Sequence, residues 1–142
     1  MKILVLHGPN LNLLGTRQPE IYGALSLDAI NERLQLLGED LGIEIETLQS
    51  NHEGVLLDAL HQGEVSAVVL NAGAYTHTSY AIRDAIAAIP RPVIEVHLSN
   101  VYAREAWRHK SLISEVCAGT ITGLGILGYE LGLRAAAELA AR

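Results

Sequence analysis

The sequence has a single cysteine, Cys117, so no disulfide can form within the chain. One unpaired thiol suits a reducing compartment, and we expect a cytoplasmic protein in which Cys117 is a small core residue. The chain also lacks a positively charged segment followed by an apolar stretch, and no apolar run is long enough to cross a bilayer. We therefore expect neither a targeting segment nor contact with a membrane.

A basic stripe is missing as well. The sequence has ten Lys and Arg residues and sixteen Asp and Glu residues. The resulting net charge of −6 at pH 7 argues against nucleic acid as a partner. An anionic ligand would have to be attracted by a few local arginines. The two lysines are Lys2, which opens the first strand, and Lys110, which follows a polar run, and neither resembles a desolvated Schiff-base lysine.

No linker, repeat or low-complexity segment divides the 142 residues, so we expect one domain with a sizeable core. Apolar runs and alternating patterns predict strands near 2–6, 43–48, 67–70, 93–98 and 119–122. Helical spacing predicts helices at 27–41, 53–62 and 79–89, a short helical piece near 103–107, and a closing helix that ends near residue 141. Ser26 is the expected N-cap of the first helix, and Gly42 is expected to end it.

Strands that alternate with helices predict an open parallel sheet, because right-handed crossovers join parallel strands. We predict an α/β fold: a flavodoxin-like, doubly wound, five-stranded parallel sheet with the strand order 2-1-3-4-5. In this order the winding reverses between strands 1 and 3. Ligands bind at the carboxyl ends of the strands beside such a reversal.

Polar residues stand at the carboxyl ends of three strands near this reversal. Asn10 follows strand 1, Asn71 ends strand 3, and Glu95, His97 and Ser99 alternate along strand 4, which places the last three on one face. A glutamate beside a histidine can fix its tautomer and stabilise its protonated form. Each residue alone could satisfy a loop backbone group, but the set together predicts a binding crevice.

A long loop follows strand 1 and spans residues 7–23. Gly, Pro and Asn punctuate it, but it lacks the glycine spacing of a phosphate loop. A long connection that is not low in complexity is typical of a binding loop or lid. This one presents a cation, Arg17, and a phenol, Tyr22, five positions apart.

The glycines Gly123, Gly125 and Gly128 match the pattern G-x-G-x-x-G. A dinucleotide site would need this pattern in an early unit that is followed by another strand with an acidic residue. Only one helix follows here, so close helix packing is the better explanation. No dinucleotide cofactor is expected.

Four histidines have no metal-ligand spacing to one another, and we interpret them as surface or structural residues: His7, His52, His61 and His109. No metal site is expected. His77 lies in a polar loop after strand 3, close to the predicted crevice. Helix capping and ligand binding are both open for it.

Three other function classes fit the pattern less well. A phosphoryl-accepting receiver domain needs carboxylates after strands 1 and 3, where this chain has Asn10 and Asn71. An electron carrier with a flavodoxin-like site needs a hydroxyl-rich phosphate loop after strand 1, which is missing. A silent sensor of polyhydroxylated acids would have similar binding residues, but the Arg–Tyr loop together with the Glu–His pair favours catalysis.

Four blocks of sequence, in this order, carry a resemblance to a known family: GPNLNLLGTR with YG (8–17 and 22–23), NAGAYTHTS (71–79), EVHLSN (95–100) and ARE (103–105). Over nearly its full length the chain closely resembles the type II 3-dehydroquinate dehydratases. Three positions depart mildly from the family pattern. Gln18 stands where Glu is usual, Tyr102 where His is frequent, and Trp107 where Phe is frequent; Trp107 would alter the wall beside Arg108.

The resemblance implies an enzyme, with residues 1–142 as a single catalytic domain. The implied reaction is that of a hydro-lyase, which dehydrates 3-dehydroquinate to 3-dehydroshikimate in the shikimate route to chorismate and the aromatic amino acids. Enzymes of this type use an enolate and an anti elimination, with no metal, cofactor or Schiff base. The absence of a suitable lysine independently favours this route.

The resemblance also implies roles for five catalytic residues. Tyr22 is the base that removes a proton beside the ketone, and Arg17 keeps that phenol ionisable. Asn10 holds a water against the developing enolate oxygen. His97, oriented by Glu95, is the acid that protonates the departing hydroxyl.

Further positions match residues that hold the substrate: Asn71, His77, Asp84, Leu98, Ser99 and Arg108. Asp84 matches a position that reaches into the site of a neighbouring subunit. Helical spacing agrees, because the inward stripe of its helix leaves Asp84 off the core face. The family resemblance implies a homo-oligomer that shares sites in this way, with four trimers forming a dodecamer.

Overall fold

The computed structural model describes residues 1–16, 20 and 25–142. Five parallel strands form one sheet in the order β2-β1-β3-β4-β5, so the predicted order is confirmed. The strands are β1 (Lys2–His7), β2 (Glu44–Gln49), β3 (Ala67–Asn71), β4 (Val93–His97) and β5 (Gly119–Thr122).

Helices lie on both faces of the sheet: α1 (Leu27–Leu41), α2 (Glu53–His61), α3 (Tyr80–Ala88) and α4 (Ile126–Ala140). The predicted caps of α1 are confirmed. Ser26 Oγ accepts a hydrogen bond from the Ala29 N–H at 3.1 Å, and Gly42 ends the helix with φ of 70°, a left-handed conformation that favours glycine.

The short helical piece predicted near 103–107 is wrong in form. Two 3₁₀ turns stand there, Val101–Ala103 and Ala106–Arg108, and the backbone between them is extended at Arg104. The first turn begins where Asn100 Oδ1 accepts the Tyr102 N–H at 3.1 Å. Both turns put side chains beside the carboxyl end of β4.

The sheet buries both of its faces, as a parallel sheet with helices on either side must. Alternate residues of the central strands point to opposite faces, so Ile3 and Val69 pack toward α1 and α4, whereas Leu4 and Leu70 pack toward α2 and α3. Their burial holds the strand ends in a fixed arrangement. No helix in the described part of the chain is both long and apolar enough to cross a membrane.

Small residues bring α4 close to the sheet. A Cβ built on Gly128 would lie 3.4 Å from Ile121 Cγ2, and one on Gly132 would lie 2.8 Å from Val96 Cγ2. Gly128, the last glycine of the pattern, therefore lies at ordinary contact distance from β5, and the packing interpretation of the pattern stays a prediction. Gly132, outside the pattern, makes the closer approach.

Candidate active site

A cleft with an empty volume of about 660 Å³, its open mouth included, lies at the carboxyl ends of β1, β3 and β4. The structure thus confirms a crevice beside the reversal of winding. The predicted site residues that line it are Asn10, Asn71, His77, His97, Leu98, Ser99 and Arg108.

Glu95 and His97 point to the same face of β4, as their alternation predicted. Glu95 is 1% exposed and lies behind His97, with its Oε2 2.5 Å from His97 Nε2. An ionised carboxylate can only accept, so this contact makes Nε2 a donor. It leaves Nδ1 as the ring nitrogen that can meet a ligand in the cleft.

Three hydroxyls surround the same carboxylate. Ser114 Oγ lies 2.5 Å from Oε1, Ser111 Oγ lies 3.1 Å from Oε2, and Thr120 Oγ1 lies 3.4 Å from Oε1. Burial raises the pKa of Glu95, but the hydrogen bonds from His97 and the serines outweigh burial and hold this pKa below its ordinary value. The carboxylate is therefore charged at neutral pH and can orient His97.

His77 is held at the cleft by a hydrogen bond to the backbone of Lys110. Its Nδ1 lies 2.8 Å from the carbonyl oxygen of Lys110, so Nδ1 donates and Nε2 is left as an acceptor. Burial lowers the pKa of His77, and the nearby His97 and Arg108 lower it further, which keeps the ring neutral. Ser79 caps α3 instead, through a hydrogen bond from the Ile82 N–H, so ligand binding is the better-supported role for His77.

Arg108 is held in place by two neighbours. Its Nε donates to Glu105 Oε2 at 2.7 Å, and its guanidinium lies 4.0 Å from the ring centroid of Trp107. Trp107 also meets His77 edge-on, so its ring contacts two residues that line the cleft. The effect of its departure from the family pattern stays a prediction. A fixed planar cation at the cleft is suited to an oxygen-rich ligand.

Arg104 is a lining residue that the sequence analysis did not single out. Its Nη1 lies 3.5 Å from Ser99 Oγ. Its place in the ARE block was the available signal. Together with Arg108 it supports the expectation that local arginines attract an anionic ligand to this negatively charged chain.

Asn10 and Asn71 differ in how much of each side chain is engaged. The Asn10 backbone is left-handed, with φ of 68°, and its N–H donates to Asn51 Oδ1 at 2.9 Å. Asn71 is buried, and its Oδ1 accepts the Gly73 N–H at 3.1 Å while its Nδ2 donates to Tyr129 Oη at 3.1 Å. The alternative role, in which the side-chain amide satisfies a loop backbone group, is thus partly true of Asn71.

Asp84 lies outside the cleft of its own chain. Its side chain is 78% exposed and lies 3.4 Å from Arg83, while Ile82, Ala85 and Ile86 form the buried face of α3. The predicted outward position is confirmed. Arg17, Gln18 and Tyr22 fall outside the described residues, so their roles remain predictions.

The remaining histidines behave as predicted. His52, His61 and His109 are exposed, and His7 is fully buried with both ring nitrogens hydrogen-bonded. Burial also raises the pKa of Cys117 to about 12, which makes it an inert thiol at neutral pH. Within the described residues, no group of three His, Cys, Asp or Glu side chains is placed to hold a metal ion.

Comparisons with known proteins place this cleft in context. The sequence profile of the family described as Dehydroquinase class II matches residues 1–137. A 3-dehydroquinate dehydratase of Pelotomaculum thermopropionicum is 58% identical over 142 residues, with 99% of each chain covered. One from Ruegeria pomeroyi is 58% identical over 137 residues, which cover 95% of this chain and 92% of that one.

Two solved structures of type II dehydroquinases have the same fold as this chain. The type II dehydroquinase of Butyrivibrio crossotus superposes with a TM-score of 0.95 at 43% identity, covering 96% of this chain and 97% of that chain. The type II dehydroquinase of Propionibacterium acnes gives a TM-score of 0.91, also at 43% identity, with 99% and 97% covered. Similarity therefore extends over the whole fold, including the strand ends that form the cleft.

Proposed function

This chain belongs to the class II dehydroquinase family, and we propose that it is a hydro-lyase that converts 3-dehydroquinate to 3-dehydroshikimate and water in the shikimate pathway to chorismate. The observation that supports this most is the pairing of Glu95 with His97 at the strand-end cleft of a fold whose family match spans residues 1–137. Residues 1–142 act as one catalytic domain, in the cytoplasm, without a metal or cofactor.

In the proposed reaction, Tyr22 as phenolate removes the proton from the carbon beside the ketone. Arg17 stabilises the phenolate, and Asn10 holds a water against the enolate oxygen that forms. The enolate then expels the hydroxyl, which takes a proton from His97 and leaves as water. Tyr22 returns its proton to solvent and His97 regains one, so the enzyme is restored.

The described geometry supports the role of His97. The Glu95 carboxylate contacts Nε2, so a protonated His97 presents its Nδ1–H to the cleft. A buried carboxylate fixes the tautomer and the orientation of the ring. Proton donation from Nδ1 is consequently the step that this pair is arranged to perform.

Substrate-holding roles follow from the residues that line the cleft. Arg108 and the amides of Leu98 and Ser99 bind oxygens of the substrate, and Asn71 and His77 bind its hydroxyls. In the described part of the chain, no lysine lines the cleft, and Lys2 instead pairs with Glu46 at the far end of β1. This placement favours the enolate route over an imine.

One assay tests the function. Purified protein is mixed with 3-dehydroquinate, and the ultraviolet absorbance of the conjugated enone is followed. We expect absorbance to rise, and we expect borohydride to trap no protein–substrate adduct. Binding without a rise in absorbance would instead make the protein a silent sensor, and a trapped adduct would replace the enolate route.

We predict that Ser114→Ala moves the acidic limb of the kcat profile to higher pH. Loss of a hydrogen bond to the ionised carboxylate raises the pKa of Glu95 toward its ordinary value, so the carboxylate is protonated at a higher pH than in the wild type. A hydrogen bond to a charged group contributes about 1.5–3 kcal/mol, and loss of the lower figure from the transition state would lower kcat ~10-fold. Ser114→Thr keeps a hydroxyl and is the matched control. An unmoved limb in the alanine variant would remove Ser114 from this role.

The same pKa sets a stability expectation. Because Glu95 is a stronger acid in the folded state, its contribution to the free energy of unfolding is present above its unfolded pKa and is lost as the pH falls through its folded pKa. Urea unfolding of Ser114→Ala should accordingly depend less on pH below about 4.5 than unfolding of the wild type.

We further propose a homo-oligomer, a dodecamer built from trimers, in which Asp84 completes the site of a neighbour. The exposed position of Asp84, away from its own cleft, supports this. Asp84→Ala should then weaken substrate binding although the residue lies outside its own cleft. Asp58→Ala, which removes an exposed aspartate on α2, is a control that leaves Asp84 and its partner Arg83 in place.

Mixed oligomers test the shared site directly. Subunits with Asp84→Ala are exchanged with inactive Tyr22→Phe subunits, and exchange is verified by mass. Some activity should return, because a mixed site can combine an intact Tyr22 with a neighbour's Asp84. A fully active monomer, or no recovery after verified exchange, would contradict the shared site.

A further inference from the structure

A chain of polar side chains runs behind the cleft, away from the residues given catalytic roles. Asn71 Nδ2 lies 3.1 Å from Tyr129 Oη, which lies 2.9 Å from His7 Nδ1, and His7 Nε2 lies 2.8 Å from Asn31 Oδ1. Tyr129 and His7 are fully buried. This chain of hydrogen-bonded side chains joins β3, α4, β1 and α1, four elements that are distant in sequence.

Each link of the chain has one direction. The Gly73 N–H donates to Asn71 Oδ1, so the other end of that amide is the donor to Tyr129. The Tyr129 oxygen accepts there, and its own proton is left for His7 Nδ1. His7 must then carry its proton on Nε2 and donate it to Asn31. Each of the four side chains therefore has one arrangement that satisfies it.

The imidazole of His7 stays neutral in this arrangement. Burial lowers its pKa to about 4, although the hydrogen bond with Asn31 opposes the shift. A protonated ring would present a second donor to the Tyr129 oxygen, and the Tyr129 proton would lose its acceptor. The neutral ring is thus the form that the contacts require.

Helix packing brings Tyr129 to this position. Tyr129 lies between Gly128 and Gly132 in sequence, where α4 approaches β4 and β5 closely. The hydroxyl can reach the end of β3 only if the helix stays near the sheet. Gly132, which lies outside the glycine pattern, permits the closer of the two approaches.

We propose that Tyr129 and His7 are positioning residues for Asn71. The amide nitrogen of Asn71 carries two hydrogens; Tyr129 takes one, and the other has no acceptor among the described residues. Because Asn71 lines the cleft, the fixed amide offers this second N–H to a substrate oxygen. This inference rests on the proposed function, in which Asn71 holds the substrate.

A double-mutant cycle tests the proposal, with kcat/KM for 3-dehydroquinate as the readout. Tyr129→Phe should lower kcat/KM roughly 10-fold, the order expected when one hydrogen bond to a ligand is lost. The same substitution in an Asn71→Ala background should cause no further loss, because its effect passes through Asn71. Equal losses in both backgrounds, or no loss in either single variant, would overturn the proposal.

Leu133→Ala is the matched control, one turn along α4. It removes buried packing but no polar link, so it should lower Tm while kcat/KM stays near the wild-type value. If Tyr129→Phe does not fold, His7→Leu removes the acceptor of the Tyr129 proton and enters the same cycle with the same expected result.

A crystal structure of Tyr129→Phe separates this inference from the proposed function. The Asn71 amide should rotate or lose its bond from Gly73, whatever the substrate of the enzyme. An amide that keeps its wild-type orientation would overturn the positioning role even if the wild type dehydrates 3-dehydroquinate. A wild type without that activity would overturn the proposed function, while a rotated amide would still support positioning.

Discussion

Replacing Tyr22 by phenylalanine is expected to lower kcat at least ~100-fold, as removal of a general base does. Only a hydroxyl is lost, so the variant should fold and assemble like the wild type. Exchange gives a second readout. The wild type should exchange the substrate proton beside the ketone with deuterium from the solvent, and Tyr22→Phe should lose this exchange together with dehydration.

The phenol of Tyr22 can act as a base at neutral pH only if its ionised form is stabilised. An ordinary phenol titrates near pH 10, and ionisation near pH 7 needs ~4 kcal/mol of preferential stabilisation. A guanidinium ~4 Å away, at an effective dielectric of about 20, supplies ~4 kcal/mol. Arg17 is the cation we propose for this purpose. A cation beside a phenolate supplies this stabilisation only when water is kept away, because water raises the effective dielectric.

Near-wild-type turnover in Tyr22→Phe would transfer the base to another residue. The structure makes His77 and His97 the next candidates, since both rings line the cleft and stack with centroids 6.5 Å apart. His77 is neutral and keeps Nε2 as an acceptor, so it would be the first to examine.

Local signals predicted most of the fold because they act within a few residues. Ser26 begins α1 and Gly42 ends it, through hydrogen bonds and backbone angles that depend on neighbouring residues. Alternation along β4 was enough to place Glu95 and His97 together, since side chains on a strand repeat every second residue. The handedness of the crossovers indicated a parallel sheet, and the order 2-1-3-4-5 was the preferred doubly wound arrangement of its strands.

Contacts between distant elements could not be predicted in this way. Thr120 meets Glu95 because β4 and β5 pair in a register that aligns these two residues, and no single segment encodes that register. His7 and Tyr129 are 122 positions apart, and their hydrogen bond depends on how closely α4 packs. His7 could be interpreted as structural from its spacing, but its partner could not be named.

His97→Gln is the second large effect that we expect. Glutamine can still hydrogen-bond Glu95, but it cannot supply a proton, so kcat for dehydration should fall ~100-fold or more. Proton removal precedes loss of the hydroxyl in the proposed sequence. His97→Gln should therefore still exchange the proton beside the ketone with deuterium, in contrast to Tyr22→Phe.

Glu95→Gln is the control that separates the effect of losing His97, the proposed acid, from the effect of losing the carboxylate that orients it. This variant keeps the His97 ring but removes the buried charge, so its loss in kcat should be smaller than that of His97→Gln, and exchange should persist. Equal loss of exchange and dehydration in His97→Gln would place His97 before the enolate, as a base or an essential binding group. Retained exchange with dehydration lost would assign the two halves of the elimination to two separate residues, Tyr22 for the proton and His97 for the hydroxyl.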